Sequence, residues 1–413
     1  MRTIYTIGIG FYTLGIRLAA LFGHGKARLM VRGWKRSSAL LHTLEPQPTV
    51  WFHASSLGEF EQARPVLEAY RRRHPDHRVA VTFFSPSGYE VRKNYAQADS
   101  ILYLPPDTFG NARRLVEALR PVAVFFVKYD FWFNYLDQLR RHNTPTYLIS
   151  GIFRPKQYFF KPWGAWYLRQ LKDCFTHLFV QNEESLQLLR SHGADRCSLA
   201  GDTRYDRVHQ IAQAAENDAV AERFLDGYDG KVLVAGSTWP PDEQLLARLR
   251  GSKEWFPARL IIAPHQIHEE HLRGIETLFP DSIRYSALKQ SDNQAIPQSN
   301  VLIIDNIGIL SKLYRYATVA YIGGGFGVGI HNILEAVTFG KPVVFGPNYH
   351  KFQEAHDIIA LGGGLTVSEH SDVSFLRQLF TDEEVYRASS DACLQLMRRN
   401  LGSTDKILQV IES

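Results

Sequence analysis

Two successive rounds of strand–helix alternation predict an α/β protein built from two parallel-sheet domains. Three observations carry this. At 413 residues the chain is long for one domain. Short apolar strand patterns alternate with helical ones from residue 49, and the alternation restarts at 231. Between them AAENDAVAERFLDGYDG (214–230) is polar and lacks strand signal, which places a link there. The expected organisation is a segment 1–36, a first domain 45–213, a link 214–230, a second domain 231–381 and a tail of one or two helices, 382–413.

Residues 3–23 carry one charge, Arg17, and Ile4, Ile7, Phe11, Leu14, Leu18 and Leu21 fall on one helical stripe. A spanning helix needs about 20 apolar residues, so this one is marginal, and Gly8, Gly10 and Gly15 lower its helix propensity in water. No small-residue cleavage site follows. Residues 1–44 hold seven Lys/Arg and no Asp or Glu, within a net charge of only +5. That asymmetry matches an anionic surface such as a membrane. We therefore expect an anchor in or on a bilayer, its basic run 24–36 on the cytoplasmic side; the alternative is an amphipathic helix packed on its own protein. No basic-aromatic nucleic-acid motif appears. Cys174, Cys197 and Cys393 lack metal-ligand spacing, which fits a reducing compartment and disfavours a zinc site.

Strands are expected at 49–55, 78–84, 101–104, 122–127, 146–149, 177–181 and 197–199. The second round opens with KVLVAGST (231–238), then ARLIIAPH (258–265), VLIIDNIG (301–308) and YIGGGFGVGIHNILEAVTFGKPVVFGP (321–347). In this last stretch a strand runs into five glycines and then into a helix expected from His331. Such a loop offers free N–H groups to an anion. His331 and Glu335, one helical turn apart, would share a face, and a carboxylate there suits a ribose diol. A plain glycine-rich turn capped by Asn332 is the alternative. The glycines match neither the G-x-G-x-x-G fingerprint nor a P-loop. Ligands of open α/β sheets bind beyond the carboxyl ends of the strands, so Ser237–Thr238, Pro264–His265, Asp305–Gly308 and Gly323–Glu335 are placed to converge on one ligand.

Together, HASSLGEFEQARP (53–65), TFFSPSGYE (82–90), FWFN (131–134), VQNEES (180–185), LAGDTRYDRV (199–208), GST (236–238), APH (263–265), IDNIGIL (304–310) and GGGFGVGIHNILEA (323–336) resemble, in order and spacing, the Kdo (3-deoxy-D-manno-octulosonic acid) transferases of lipopolysaccharide synthesis. The resemblance covers nearly the whole chain. It implies a GT-B fold, two Rossmann-like domains facing a central cleft. It implies an inverting transfer of Kdo from CMP-Kdo to a lipid A precursor at the cytoplasmic face of the inner membrane.

By the resemblance Glu59 is the general base that deprotonates an acceptor hydroxyl. A sugar hydroxyl needs such a carboxylate nearby, and the start of a helix favours its ionised form. Asn332 and Glu335 match residues holding the ribose of CMP. Ser237 and Thr238 match the phosphate-side loop. Pro264, His265, Ile307, Gly308, Ile309, Gly324, His331, Ile333 and Leu334 complete the nucleotide-sugar set. Ser56, Gly58, Arg64, Ser87, Asp130 and Arg154 are expected on the acceptor side, with Arg64 and Arg154 facing its phosphates. No cofactor or metal is expected, because a CMP-sugar leaves as a monophosphate. The chain departs from the pattern in four places. KYDFWFN puts Lys128, Asp130 and Phe133 where the family has Glu, Glu and Pro. Ile309 stands for Glu, Ile330 for Gly, and His265 for Arg. Rival readings are a UDP-sugar transferase or epimerase on the same fold, or a non-catalytic relative that binds lipid.

Overall fold

The computed structural model describes all residues except 1, 45–46, 252–257, 292–298, 369–373 and 413. The expected domain start at 45 lies outside the described residues. The chain divides into two compact units, Met1–Arg207 with Leu401–Ser413, and Val208–Asn400.

The first unit holds a seven-stranded sheet: β1 (Thr49–Ala54), β2 (Arg78–Phe83), β3 (Ser100–Tyr103), β4 (Pro121–Val127), β5 (Thr146–Gly151), β6 (His177–Val180) and β7 (Cys197–Leu199). All pairs are parallel and the order is β3-β2-β1-β4-β5-β6-β7. Every residue of β1 is buried, as covered faces require. The strand order reverses between β1 and β4, which marks the site-forming crevice of this topology.

The second unit repeats the architecture with β8 (Lys231–Thr238), β9 (Ala258–Pro264), β10 (Ser282–Arg284), β11 (Val301–Ile303), β12 (Val319–Ile322), β13 (Val343–Phe345) and β14 (Gly364–Thr366). The order is β10-β11-β9-β8-β12-β13-β14, again all parallel, with the reversal between β8 and β12. β10 and β14 were not expected. Each has three half-buried residues at a sheet edge, too few to show a period.

Two boundaries differ from expectation. The segment 214–230 is not a plain link: Ala219–Leu225 is helical and buries Val220, Ala221 and Phe224, capped by Asp218. The division between units falls instead inside the helix Thr203–Ala214. The tail also splits. Glu383–Asn400 belongs to the second unit, while Ser403–Glu412 belongs to the first. Asp206 draws that last helix in by accepting the amides of Gly402 (2.8 Å) and Thr404 (2.6 Å), and Ile407 and Leu408 are fully buried.

The N-terminal segment forms two helices, α1 (Arg2–Leu21) and α2 (Gly25–Leu41). By length and composition α1 is long and apolar enough to cross a bilayer. It lies along the first unit. On its inner side the Tyr5 hydroxyl donates to Asp107 at 2.6 Å, Arg2 pairs with Asp137 at 2.7 Å, and Tyr12 stacks on Phe84. On its outer side Ile4, Ile7, Phe11, Leu14, Leu18 and Leu21 are all exposed, Leu21 at 78%. α2 is part of the core: Met30 and Trp34 are buried, and the Ser37 hydroxyl accepts the Tyr103 amide at 2.8 Å.

Candidate active site

In the first unit the site grows from the end of β1. Ser56 caps the next helix, α3 (Leu57–Arg73), by accepting the Glu59 amide at 3.4 Å. Glu59 turns back, and its Oε2 accepts the Ser55 amide at 2.6 Å. This is close to a capping box, so Glu59 supports its own helix terminus. Glu59 is half-buried, and burial first, then the carboxylate of Asp130, pushes its pKa above the ordinary carboxylate value. The Ser55 hydrogen bond, His53 and Lys128 pull the other way.

Asp130 follows β4 across the crevice. One oxygen of Asp130 takes the Ser55 hydroxyl proton in a short hydrogen bond and lies 2.5 Å from His53 Nε2. His53 is fully buried on β1, its Nδ1 2.7 Å from the Thr82 hydroxyl and its Nε2 also 3.0 Å from the Trp132 indole N–H. Nε2 serves one of these two partners at a time: protonated it donates to Asp130, unprotonated it accepts the Trp132 indole N–H. The chain Thr82–His53–Asp130–Ser55–Glu59 thus spans the strand-order reversal. Sequence reasoning had singled out Glu59 and Asp130 but not His53, Thr82 or Trp132. The remaining acceptor-side residues scatter. Gly58 has open space where a Cβ would sit, so sterics do not demand glycine there. Ser87 is exposed and bonds Ser85. Arg64 is held by Glu61 (3.0 Å) and Glu68 (3.1 Å) and lies over Tyr95, a scaffold role that occupies its guanidinium. Arg154 is exposed beyond β5.

In the second unit, the glycine stretch interlocks with its neighbours. A Cβ on Gly323 would come within 2.3 Å of the Ser237 carbonyl oxygen, and one on Gly325 within 2.5 Å of the Gly346 backbone. Gly324 has φ +91° and Gly329 +134°, conformations that favour glycine. Asp242, fully buried, fixes the loop: its Oδ2 accepts the amides of Gly324 and Trp239, both at 2.9 Å, and its Oδ1 the Tyr321 hydroxyl at 2.8 Å. Burial raises its pKa while these three bonds oppose the rise. Beside it Glu243 accepts the Thr238 hydroxyl at 2.8 Å and meets His271 at 2.9 Å.

The expected helix from His331 is corrected. Only Leu334–Val337 is helical, one turn, so His331 and Asn332 precede it and no long helix dipole points at the loop. Asn332 makes a turn at the front, its Oδ1 accepting the Leu334 amide at 3.2 Å one residue before the N-cap Ile333, while Gly340, at φ +67°, follows the last turn. Asn332 Nδ2 also donates to Glu335 Oε1 at 3.2 Å, so the two expected ribose residues do adjoin. Ile333 and Leu334 are fully buried core side chains, whereas Ile307 is 86% exposed beside Gly308 and half-buried Ile309. Pro264 is buried and His265 exposed. His265 stacks on two rings, Trp239 at 4.7 Å and His331 at 4.5 Å. His331 is pushed down to about 4 by burial and by His265, so at neutral pH its Nε2 accepts the Trp239 indole N–H at 3.3 Å. Trp239 and Asp242 were not singled out from sequence.

Backbone conformation gives a further sign. Ser237 (φ +54°), Lys128 (+61°) and Ser150 (+53°) each sit at the carboxyl end of a strand in the left-handed region. Such strain in non-glycine residues concentrates at functional sites. Among the described residues no group of three or more His, Cys, Asp or Glu is arranged to hold a metal ion.

The family described as 3-Deoxy-D-manno-octulosonic-acid transferase (kdotransferase) matches residues 31–207. The 3-deoxy-D-manno-octulosonic acid transferase of Chlamydia pneumoniae is 27% identical over 95% of this chain and 90% of its own. That of Aquifex aeolicus is 24% identical over 78% and 83%. Among solved structures, UDP-GlcNAc 2-epimerase from Neisseria meningitidis superposes with a TM-score of 0.60 at 16% identity, over 88% of this chain and 100% of its own. A glycosyltransferase from Rickettsia africae does so with 0.56 at 11%, over 89% and 98%. At these identities the structural likeness is one of fold, the two-unit GT-B class. Fold and relatives point the same way: residues 31–207 match the 3-deoxy-D-manno-octulosonic-acid transferase family, and the chain is similar over most of its length to the transferases of Chlamydia pneumoniae and Aquifex aeolicus.

Proposed function

We propose that this protein transfers Kdo from CMP-Kdo to a lipid A precursor, an acylated and phosphorylated glucosamine disaccharide, with inversion at the anomeric carbon. The observation that carries the reading is Glu59, a half-buried carboxylate of raised proton affinity at the carboxyl end of the central strand. With Oε2 bound to the Ser55 amide, Oε1 is left to take the proton of an acceptor hydroxyl. That oxygen then attacks the anomeric carbon, and CMP departs with the bonding electrons. Asp130 acts through Ser55 and His53, holding the end of β1 whose Ser55 amide Glu59 accepts.

The donor is assigned to the second unit. Glu335 and Asn332 accept the ribose hydroxyls. The loop amides and hydroxyls after β8 and β12, with the His265 ring, stabilise the departing phosphate. No metal is invoked, because the leaving group is a monophosphate.

The acceptor is an amphiphile, and α1 supports its access from a bilayer. An apolar stripe faces outward while the inner side is tied to the first unit by Tyr5, Arg2 and Tyr12, so α1 lies in the interface rather than across it. An aromatic segment adjoins its N-terminal end. Phe133 touches both Tyr5 and Trp166, and the nearby Trp163 is 66% exposed beside Lys161. Aromatic rings with cations at this level are typical of a membrane interface. The first 44 residues, with cations only, support the assignment of this surface to the cytoplasmic face of the inner membrane.

Purified protein incubated with CMP-Kdo and lipid IVA is expected to give a product heavier by Kdo. CMP should protect the protein against heat better than UDP. Absence of product, or protection by UDP over CMP, would replace this reading with a UDP-sugar reaction or a non-catalytic role.

A further inference from the structure

A groove of about 820 Å³ opens between α1, α2 and the helix Phe109–Leu119, all within the first unit. Five cations line it: Arg17, Arg28, Arg32, Lys35 and Arg114. Among the described residues no carboxylate lines it. Arg28 bonds the Ala20 carbonyl, and Arg114 the Gly110 carbonyl and the Asn111 side chain, all neutral acceptors. Among the described residues none of the five forms an ion pair with Asp or Glu. Such a cluster repels itself until an anion enters. The remaining wall is apolar, with Leu21, Val31 and Trp34 contributing. Leu21 continues outward into the exposed stripe of α1, where Leu18 and Leu14 are also uncovered. The volume falls in the usual range for a bound small molecule, roughly 300–1,000 Å³.

We propose that this groove binds one anionic phospholipid, its phosphate among the five cations and its chain along Leu21, Leu18 and Leu14. The inference rests on the reading that α1 lies in a bilayer interface. A soluble anion would use the cations but leave the apolar wall and its continuation idle; a lipid uses both. The site is separate from the Glu59 chain: the ring of Tyr12 marks where α1 passes Phe84, and Ala20 lies about 12 Å further along the helix axis.

The test counts lipids on the full-length protein. Detergent-solubilised protein is mixed with zwitterionic and anionic phospholipids and examined by native mass spectrometry. One anionic phospholipid per chain is expected to persist, in preference to the zwitterionic one. The triple variant Arg32→Gln, Lys35→Gln, Arg114→Gln should lose it by on the order of a hundredfold, the loss that three cations near an anionic surface account for. A charge-matched control, Arg169→Gln, Arg377→Gln, Lys406→Gln, alters exposed positions elsewhere and should retain it. Equal loss in the control would mean a diffuse field and no site. Displacement by inorganic phosphate would mean a free-anion site. No lipid preference in the wild type would overturn the proposal whatever the variants do. The transferase reading stands or falls separately, on product formation from CMP-Kdo. The interfacial reading fails if the protein does not bind vesicles at all, and this proposal then fails with it.

Discussion

Asp242 holds Gly324: its buried carboxylate accepts the glycine amide at 2.9 Å, and with it the Trp239 amide and the Tyr321 hydroxyl. The acidic group inside the second unit is thus a clamp on the glycine loop. Asp242→Ala leaves three buried donors unsatisfied, each costing about 1–3 kcal/mol. We expect nucleotide affinity to fall by more than about tenfold and hydrogen exchange to rise across 323–330. Asp242→Asn can accept both amides and donate to Tyr321, so it should recover most of the loss. Calorimetry with CMP checks the pair, and equal damage from both variants would contradict the clamp.

Glu335 sits beside Asn332 at 3.2 Å, the arrangement expected of a ribose-diol acceptor. Glu335→Gln keeps that neighbour contact and removes the charge. Hydrogen bonds to charged groups are worth about 1.5–3 kcal/mol, so CMP affinity should drop by about ten- to a hundredfold. Unchanged affinity would remove Glu335 from the nucleotide site.

Membrane attachment and folding separate at Phe22. Deleting residues 2–22 removes the exposed stripe and should release folded, soluble protein. Deleting 2–41 also removes Trp34, Met30 and the Ser37 contact to Tyr103. Loss of a buried Trp alone costs about 3–5 kcal/mol, so this protein should melt early or aggregate. Sedimentation with vesicles and a thermal melt distinguish the two. A membrane-bound 2–22 deletion would place the anchor elsewhere.

Asp107, buried under Tyr5, is pushed up to about 6 by burial, against the pull of its hydrogen bonds. Its folded pKa lies above the unfolded one near 4, so the folded state keeps a proton that the unfolded state has lost. Its stabilising contribution is present below about pH 4 and is lost as pH rises through about 6, by on the order of 2–3 kcal/mol. Asp107→Asn does not titrate. The stability of the wild type relative to this variant should therefore fall between pH 4 and pH 7 in denaturant melts. A constant difference would contradict the assignment.

Much of the architecture was legible because parallel strands buried on both faces must be continuous apolar runs. VWF in β1 and LII in β9 could be little else. The edge strands β10 and β14 carry no such run. Ile333, Leu334 and Val337 have helical spacing, but Asn332 turns the chain by accepting the Leu334 amide, so the helix begins only at Leu334. Glu59 and Asp130 were visible in motifs, yet their link through Ser55 and His53 depends on β1 lying beside β4, a pairing that residue types do not announce. Asp242 follows two prolines in the first turn of its helix, where nothing in the sequence marks it out. Only the fold turns its carboxylate inward to Gly324 and Tyr321. Arg64 errs the other way: a cation near a proposed base reads as a phosphate contact, but Glu61 and Glu68 already hold it.

The central claim is that Glu59 is the base, and turnover of Glu59→Gln tests it most directly. Glutamine keeps the shape and can still accept the Ser55 amide, so the helix cap is retained while proton acceptance is lost. The account predicts that kcat and kcat/KM with CMP-Kdo and lipid IVA fall together by about 10²–10⁴, with CMP affinity unchanged. A Glu59→Gln enzyme that turns over at near wild-type kcat would contradict it.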